Sequence, residues 1–302
     1  MQQAQERAAA RDHTENIVRY YEEAGPDYAN WSRQFNMHFG YWAKRMNPFD
    51  LEGMLQRMNL EVIELLRLDR SRSQRVLDMG SGLGATARFA ATRMPNVTVS
   101  AVTIVPWQAR QAADMARRES FDRRVETLVA DYTATPFAAG SFDGVWALES
   151  SCYAPGHSKE PLLREMHRLL KPGGRAVVAD AFLKTTRKMN PFTRACYRSL
   201  CDCWALQEWG EIRAFADTLE RLGFREIKVE NISKNVTPSV LHVPHTVARF
   251  LWRQMRRGGA TAVRRQHWGK KRWGNMLAGV LLIAFALDRS RSGYFMVSAT
   301  RE

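Results

Sequence analysis

Cysteine is scarce in this chain. Only Cys152, Cys196, Cys201 and Cys203 occur, too few and too unevenly spaced for a disulfide framework, and no C-x-x-C pair is present. A reducing cytoplasm is the natural setting for such a protein. On a helix Cys201 and Cys203 would point to different faces, so packed thiols are expected and no metal site. Residues 1–15 are polar and rich in Gln and Ala, without an apolar run behind a basic start. No signal peptide is expected there. The apolar stretch Met276–Leu287 holds twelve residues, whereas a helix crossing a bilayer needs about 20. Acids are missing altogether from Asn231 to Leu287, which carries Lys234, Arg249, Arg253, Arg256, Arg257, Arg264, Arg265, Lys270, Lys271 and Arg272. That segment supplies ten of the net +14 charges, so the remainder is nearly balanced. A partner of this segment would be anionic.

What is present suits a folded domain. The 302 residues, 45% hydrophobic and 10% aromatic, can bury one large core. From His13 to Trp42 the chain is aromatic and reads as irregular. Leu51, Leu55, Met58, Val62 and Leu65 then recur at three- and four-residue steps, which predicts a helix over 51–68. Strand patterns follow at 75–79, 97–102, 125–129, 142–148 and 175–181, with helical stretches such as 106–118 and 159–170 between them. That alternation predicts right-handed crossovers and a mostly parallel sheet covered on both faces. Lys171-Pro-Gly-Gly174 should stop a helix and turn the chain into the fifth strand. A helix at 211–222 and a strand at 224–231 resume the core, and 293–299 reads as the last strand. Residues 1–70 read as an aromatic and helical lid and 71–302 as the core, with cap insertions at about 184–210 and 232–290.

The sharpest signal is Asp78-Met-Gly80-Ser-Gly82-Leu-Gly84, at the end of the first strand and the start of a helix. Such a loop lets a nucleotide-like ligand approach the backbone beside a helix N-terminus. Gly80, Gly82 and Ala85 also satisfy the dinucleotide fingerprint. Against a dehydrogenase stand Asp78 two residues ahead, the third glycine, and Thr103 where a ribose-binding acid would end the second strand.

Four motifs then follow one another: the glycine loop, Val102-Thr-Ile-Val-Pro-Trp-Gln108, Ala130-Asp131 before Pro136-Phe137 and Ser141-Phe142-Asp143, and Lys171-Pro-Gly-Gly174. In this order and spacing, over roughly 70–182, the chain resembles the class I S-adenosylmethionine-dependent methyltransferases. The resemblance implies a doubly wound α/β fold, a seven-stranded and mostly parallel sheet with an antiparallel last strand, and helical lid insertions. It implies S-adenosyl-L-methionine as cofactor. Gly80, Ser81, Gly82 and Gly84 would line its methionine half with Asp78 nearby. Asp131 would accept from the adenine amino group, Tyr132 would pack near the ring, and Gln108 with the Thr103–Ile104 backbone would lie near the ribose. The stretch around Thr103 is similar to that of tocopherol and isoprenoid methyltransferases and of cyclopropane-forming lipid enzymes.

A second resemblance concerns the acceptor. Tyr28-Ala-Asn-Trp31 and Met37-His-Phe-Gly-Tyr-Trp42 look like the aromatic entry segment of sterol and tocopherol C-methyltransferases. Methylating an alkene leaves a carbocation, which aromatic faces stabilise and from which a base must remove a proton. The same aromatics could simply pack a lid over the cofactor. Glu149, at the carboxyl edge of the sheet, is the first candidate base; His38 is the second, with His157 and Glu208 behind them. A lipophilic acceptor methylated on carbon is the leading expectation, with O- or N-methylation of a small molecule as the alternative. Other classes are an NAD(P)-binding oxidoreductase and a non-catalytic adaptor. The basic segment with Trp252, Trp268 and Trp273 suits peripheral contact with an anionic membrane. Nucleic acid fits it less well, since no RNA-binding module is readable.

Overall fold

The computed structural model describes residues 2–187, 189–265, 273–275, 277–278, 281–282 and 290–302. Helix α1 (Gln2–Ala24) leads through a 3-10 turn (Gly25–Asn30) and an irregular stretch to α2 (Leu51–Leu65). Then come β1 (Gln74–Met79), α3 (Ala85–Arg93), β2 (Val97–Thr103), α4 (Pro106–Arg118), β3 (Val125–Val129) and β4 (Phe142–Leu148). A 3-10 turn (Ser151–Tyr153), α5 (Glu160–Leu169), β5 (Leu170–Leu183), α6 (Pro191–Cys203), β6 (Gly210–Glu211), α7 (Ile212–Arg221) and β7 (Phe224–Asn231) follow. The described elements end with α8 (Ser233–Val240), α9 (His242–Arg265) and β8 (Ser292–Arg301).

The sheet runs β3-β2-β1-β4-β5-β8-β7, with the two-residue β6 paired to the end of β5 as an eighth strand. Strands β1 to β5 are parallel, and β8 is antiparallel to both β5 and β7. Alternate residues of each strand serve opposite faces. Leu77, Met79, Val145 and Ala147 pack with Leu162, Met166 and Phe215 of α5 and α7. Val76 and Trp146 pack on the other side with Met58 and Val62 of α2 and Ala87 and Ala90 of α3. Helix α2 is therefore one of the sheet's own covering helices. Between β1 and β4 the strand order reverses, which opens a crevice at the carboxyl ends of these strands.

Two local readings change. Residues 13–24, expected to be irregular, continue α1: Ile17, Tyr20 and Ala24 are buried at three- and four-residue steps, a periodicity blurred by the adjacent Tyr21. The segment after Asn231, also expected to be irregular, begins with α8 and α9. Val243, Val247 and Phe250 of α9 face inward while Arg249, Trp252 and Arg253 stay exposed, so this helix is amphipathic. The stop expected at Lys171-Pro-Gly-Gly174 is found, since α5 ends at Leu169, and the four residues fall within the bounds of β5. There the pairing with β4 shifts register between Phe142 and Gly144, and Leu170 opposes Phe142.

Candidate active site

The chain crosses from β1 to α3 through the glycine loop. The Gly80 and Ser81 N–H groups both donate to Val102 O at 2.9 Å, which folds the loop over the end of β2. At Gly80 φ is +88°, and a Cβ there would lie 2.3 Å from Ser150 Cβ, so only glycine fits. Asp78, Gly80, Ser81, Gly82, Thr103, Ile104, Gln108, Asp131 and Tyr132 all line one cavity of about 210 Å3. Gly84 is placed differently from expectation. It lies outside that wall, in a left-handed conformation at the start of α3, and a Cβ would press on Ala112 at 3.3 Å. Its task is the close packing of α3 against α4.

Two polar atoms in this wall have no partner among the described residues: Asp78 Oδ2 and Ser81 Oγ. Asp78 is 3% exposed, and burial pushes its pKa up to about 8 against the downward pull of the neighbouring Trp146 indole N–H, which lies outside good hydrogen-bond geometry. A buried carboxyl with an unused acceptor is what a ligand ammonium requires. Thr103 donates through Oγ1 to Gln108 Oε1 at 2.7 Å, so the two buried side chains hold each other. Asp131 Oδ1 accepts from Thr133 N and Oγ1 at 2.8 and 2.7 Å, which fixes the carboxylate and leaves Oδ2 without a described partner. Tyr132 is buried and donates to Ser150 O at 2.8 Å.

A second, larger cavity of about 330 Å3 adjoins the first. Tyr21, Met37, His38, Glu149 and Tyr153 belong to both walls and form the passage between them. The rest of the larger wall is mainly apolar and aromatic, with Tyr20, Tyr28, Trp31, Phe39, Trp204 and Trp209 contributing rings.

Glu149 follows β4 with φ at +48°, a left-handed conformation that a non-glycine residue adopts only at a cost. Its N–H donates to Ala179 O at 2.8 Å, so pairing with β5 holds the strained turn. Oε1 accepts from Phe39 N at 2.6 Å and from Tyr294 Oη at 2.7 Å, while Oε2 makes no hydrogen bond to a described residue. Burial raises the Glu149 pKa to about 8, against the downward pull of the Phe39 and Tyr294 hydrogen bonds, with Asp180 pushing it further up. His38 lies in the same passage, but Nδ1 faces Phe39 O at 2.9 Å and Nε2 faces Asn36 Oδ1 at 3.1 Å. Burial lowers its pKa to about 4. As a neutral imidazole it has a single N–H, which donates to one of these two oxygens. His157 and Glu208 pair with each other at 3.0 Å and line neither cavity.

Sequence reading passed over Tyr294, which has no local signal: only the β5–β8 register brings it to Glu149. Asp180 was legible in principle, as an acid inside a buried strand. Its carboxylate accepts from Ser151 Oγ at 2.7 Å and Cys152 N at 2.9 Å and thereby shapes the turn after Glu149. Among the described residues no group of three or more His, Cys, Asp or Glu could hold a metal ion.

Residues 76–174 match the family described as "Methyltransferase domain". Over 204 residues the chain is 30% identical to methyltransferase GfsG from Streptomyces halstedii, covering 68% of this chain and 71% of that one. The chain belongs to the class I S-adenosylmethionine-dependent methyltransferases. This methyltransferase is also 26% identical over 174 residues to the chloroplastic tocopherol O-methyltransferase of Arabidopsis thaliana, covering 56% of this chain and 49% of that one. The geranyl diphosphate C-methyltransferase of Streptomyces coelicolor A3(2), solved with S-adenosyl-L-homocysteine, shares the fold. It has a TM-score of 0.72 at 17% identity, over 96% of this chain and 98% of that one.

The methyltransferase uses S-adenosylmethionine, and the glycine cradle and the orphaned Asp78 oxygen fit such a ligand. The oxidoreductase and adaptor readings fall away. No helix among the described residues is long and apolar enough to cross a membrane. Of the basic segment, Lys270, Lys271, Arg272 and Trp268 lie outside the described residues, as do Met276 and most of the apolar stretch after it.

Proposed function

We propose that this methyltransferase acts on a lipophilic small molecule at a centre that gives up a proton, with Glu149 receiving it. One observation carries the reading: Glu149 stands in the wall common to both cavities, with one oxygen held by the protein and the other without a described partner. The smaller cavity would hold the cofactor, with its ammonium at Asp78 Oδ2, its ribose near Thr103 and Gln108, and its adenine amino group at Asp131. The larger cavity would hold the acceptor. When bound, the cofactor supplies an electrophilic sulfonium methyl and leaves as the thioether once that methyl bonds to the acceptor.

The protein's part is to position the acceptor, exclude water and take the proton. The Phe39 N–H and the Tyr294 hydroxyl hold one carboxylate oxygen, so the other can face the acceptor. A pKa near 8 makes the ionised carboxylate a stronger base than an ordinary glutamate. His38, buried and holding its one N–H against Phe39 O or Asn36 Oδ1, positions the Asn36–Phe39 loop and leaves proton transfer to Glu149.

Two acceptor atoms suit this arrangement. A carbon centre is favoured by the aromatic rings of the larger wall, which would stabilise the cation formed on an alkene. A hydroxyl is favoured by the tocopherol O-methyltransferase among the relatives. Incubating the enzyme with methyl-labelled cofactor and total lipid extract, then identifying the labelled product by mass and fragmentation, decides between them. Label appearing only in polar, water-soluble products would overturn the lipophilic reading.

A further inference from the structure

We infer that the larger cavity has a polar anchor at Asn275, whose side-chain NH2 donates to a neutral oxygen that the acceptor carries away from the atom to be methylated. The inference rests on reading this cavity as the acceptor site, and it names a feature of the ligand held there. Tyr20, Trp204 and Asn275 line the larger cavity and not the smaller one, so they stand apart from the passage at Glu149.

The partners of the Asn275 amide fix its orientation. An indole N–H can only donate. Trp204 Nε1 meets Asn275 at 3.1 Å, so the atom it meets is the carbonyl oxygen Oδ1. The Tyr20 hydroxyl donates to the same Oδ1 at 2.8 Å. Two donors thus occupy Oδ1 and turn Nδ2 away from Tyr20 and Trp204. Nδ2 makes no hydrogen bond to a described residue, yet it is not sealed in protein as an orphaned buried atom would be. Its N–H groups are left for a ligand.

The two donors are themselves held. Tyr20 of α1 is 1% exposed and packs with Ile17, Ala24 and Ala205, and Trp204 at the end of α6 packs against the same cluster. The amide is therefore set in direction before any ligand arrives, which lowers the ordering cost of binding. Among the aromatic rings of this wall an unpaired amide N–H is unfavourable once water is expelled, and a ligand oxygen satisfies it. A ketone, ether or alcohol oxygen accepts there without charge. The acceptor is then a lipophile with two functional ends, one reacting at the passage and the other held at Asn275. The separation of those ends selects which atom meets the methyl group.

The test is equilibrium binding of three lipophiles to the full chain loaded with S-adenosylhomocysteine: geranylacetone, its secondary alcohol, and the hydrocarbon in which CH2 replaces the carbonyl. Asn275→Asp, assayed at about pH 8, keeps an oxygen for Tyr20 and Trp204, whose hydrogen bonds favour the carboxylate, and puts an acceptor where the NH2 stood. The ketone should weaken at least about fivefold, the usual worth of one hydrogen bond, while the alcohol, which can donate, and the hydrocarbon change less than about twofold. Asn275→Leu removes the donor altogether and should weaken the ketone by a similar factor relative to the hydrocarbon, which keeps the test open should the Asp variant not fold. A ketone affinity that merely follows the hydrocarbon's in either variant overturns the inference and leaves Asn275 a packing residue. Absence of saturable binding of all three to the unaltered chain would instead overturn the assignment of this cavity to a lipophilic acceptor.

Discussion

Cofactor binding should release a proton, and Asp78 should be its source. In the protein alone this carboxyl is buried, its Oδ2 has no partner among the described residues, and its pKa stands at about 8. Its neutral form is therefore favoured by the fold, and the stability contributed by that form, full below about 3.8, is lost as pH rises from there to about 8. A ligand ammonium at Oδ2 reverses the preference, because an opposite charge in contact favours the carboxylate. Below about pH 8, affinity should then climb roughly tenfold per pH unit, about 1.4 kcal/mol each, until the carboxyl is ionised before binding. Between pH 6 and 7 the full tenfold should appear. Above about pH 8 the ligand's own α-amino group begins to lose its proton, so the rise should end there. Calorimetry with S-adenosylhomocysteine in phosphate and in Tris separates proton release from intrinsic heat, since the two buffers differ in ionisation enthalpy. Close to one proton should be released per ligand at pH 6.5, and Asp78→Asn should abolish both the release and the slope. A pH-independent affinity with no buffer dependence would refute the placement of the ammonium at Asp78.

Gly80→Ala should abolish binding of S-adenosylhomocysteine, because its Cβ would stand 2.3 Å from Ser150 Cβ at a φ of +88°; unchanged affinity by calorimetry would contradict that geometry. Asp131→Ala should weaken the same affinity by about 1.5–3 kcal/mol, the usual worth of a hydrogen bond to a charged group; an equal affinity would leave Asp131 as an exposed turn residue bonded to Thr133 alone. Once the labelled product has identified an acceptor, Glu149→Gln should slow turnover by about 10²–10⁴-fold, the usual range for a general base, with cofactor affinity little changed; full activity would remove Glu149 from the mechanism. Tyr294→Phe removes a hydrogen bond that holds the Glu149 pKa down, so the rising limb of the pH–rate profile should move to higher pH. A drop in rate with no movement of that limb would mean that Tyr294 only packs.

The glycine loop was legible because glycine is required locally: the φ of +88° at Gly80 and the contact with Ser150 tolerate no side chain. The strands from β1 to β5 were legible because short apolar runs separated by amphipathic helices have few alternative foldings. Residues 13–24 were read as irregular because adjacent tyrosines obscure a helical period of buried Ile17, Tyr20 and Ala24. Lys171-Pro-Gly-Gly174 was legible as a helix stop leading into the fifth strand: α5 ends at Leu169, and the four residues form the register break between Leu170 and Arg175, which pair with β4. Among the candidate bases, sequence could rank His38 beside Glu149 but could not see that its two nitrogens face Phe39 O and Asn36 Oδ1.

The residues alone determined the α/β class, the cofactor loop and the family, since each depends on contacts close in sequence or on motifs in fixed order. Tertiary structure decided which groups meet. Glu149 is joined by Phe39, 110 residues earlier, and by Tyr294, 145 residues later. Whether an acid is an ordinary surface carboxylate or a buried base with a pKa near 8 depends on solvent exclusion and neighbouring dipoles. Those arise only when distant segments close around it.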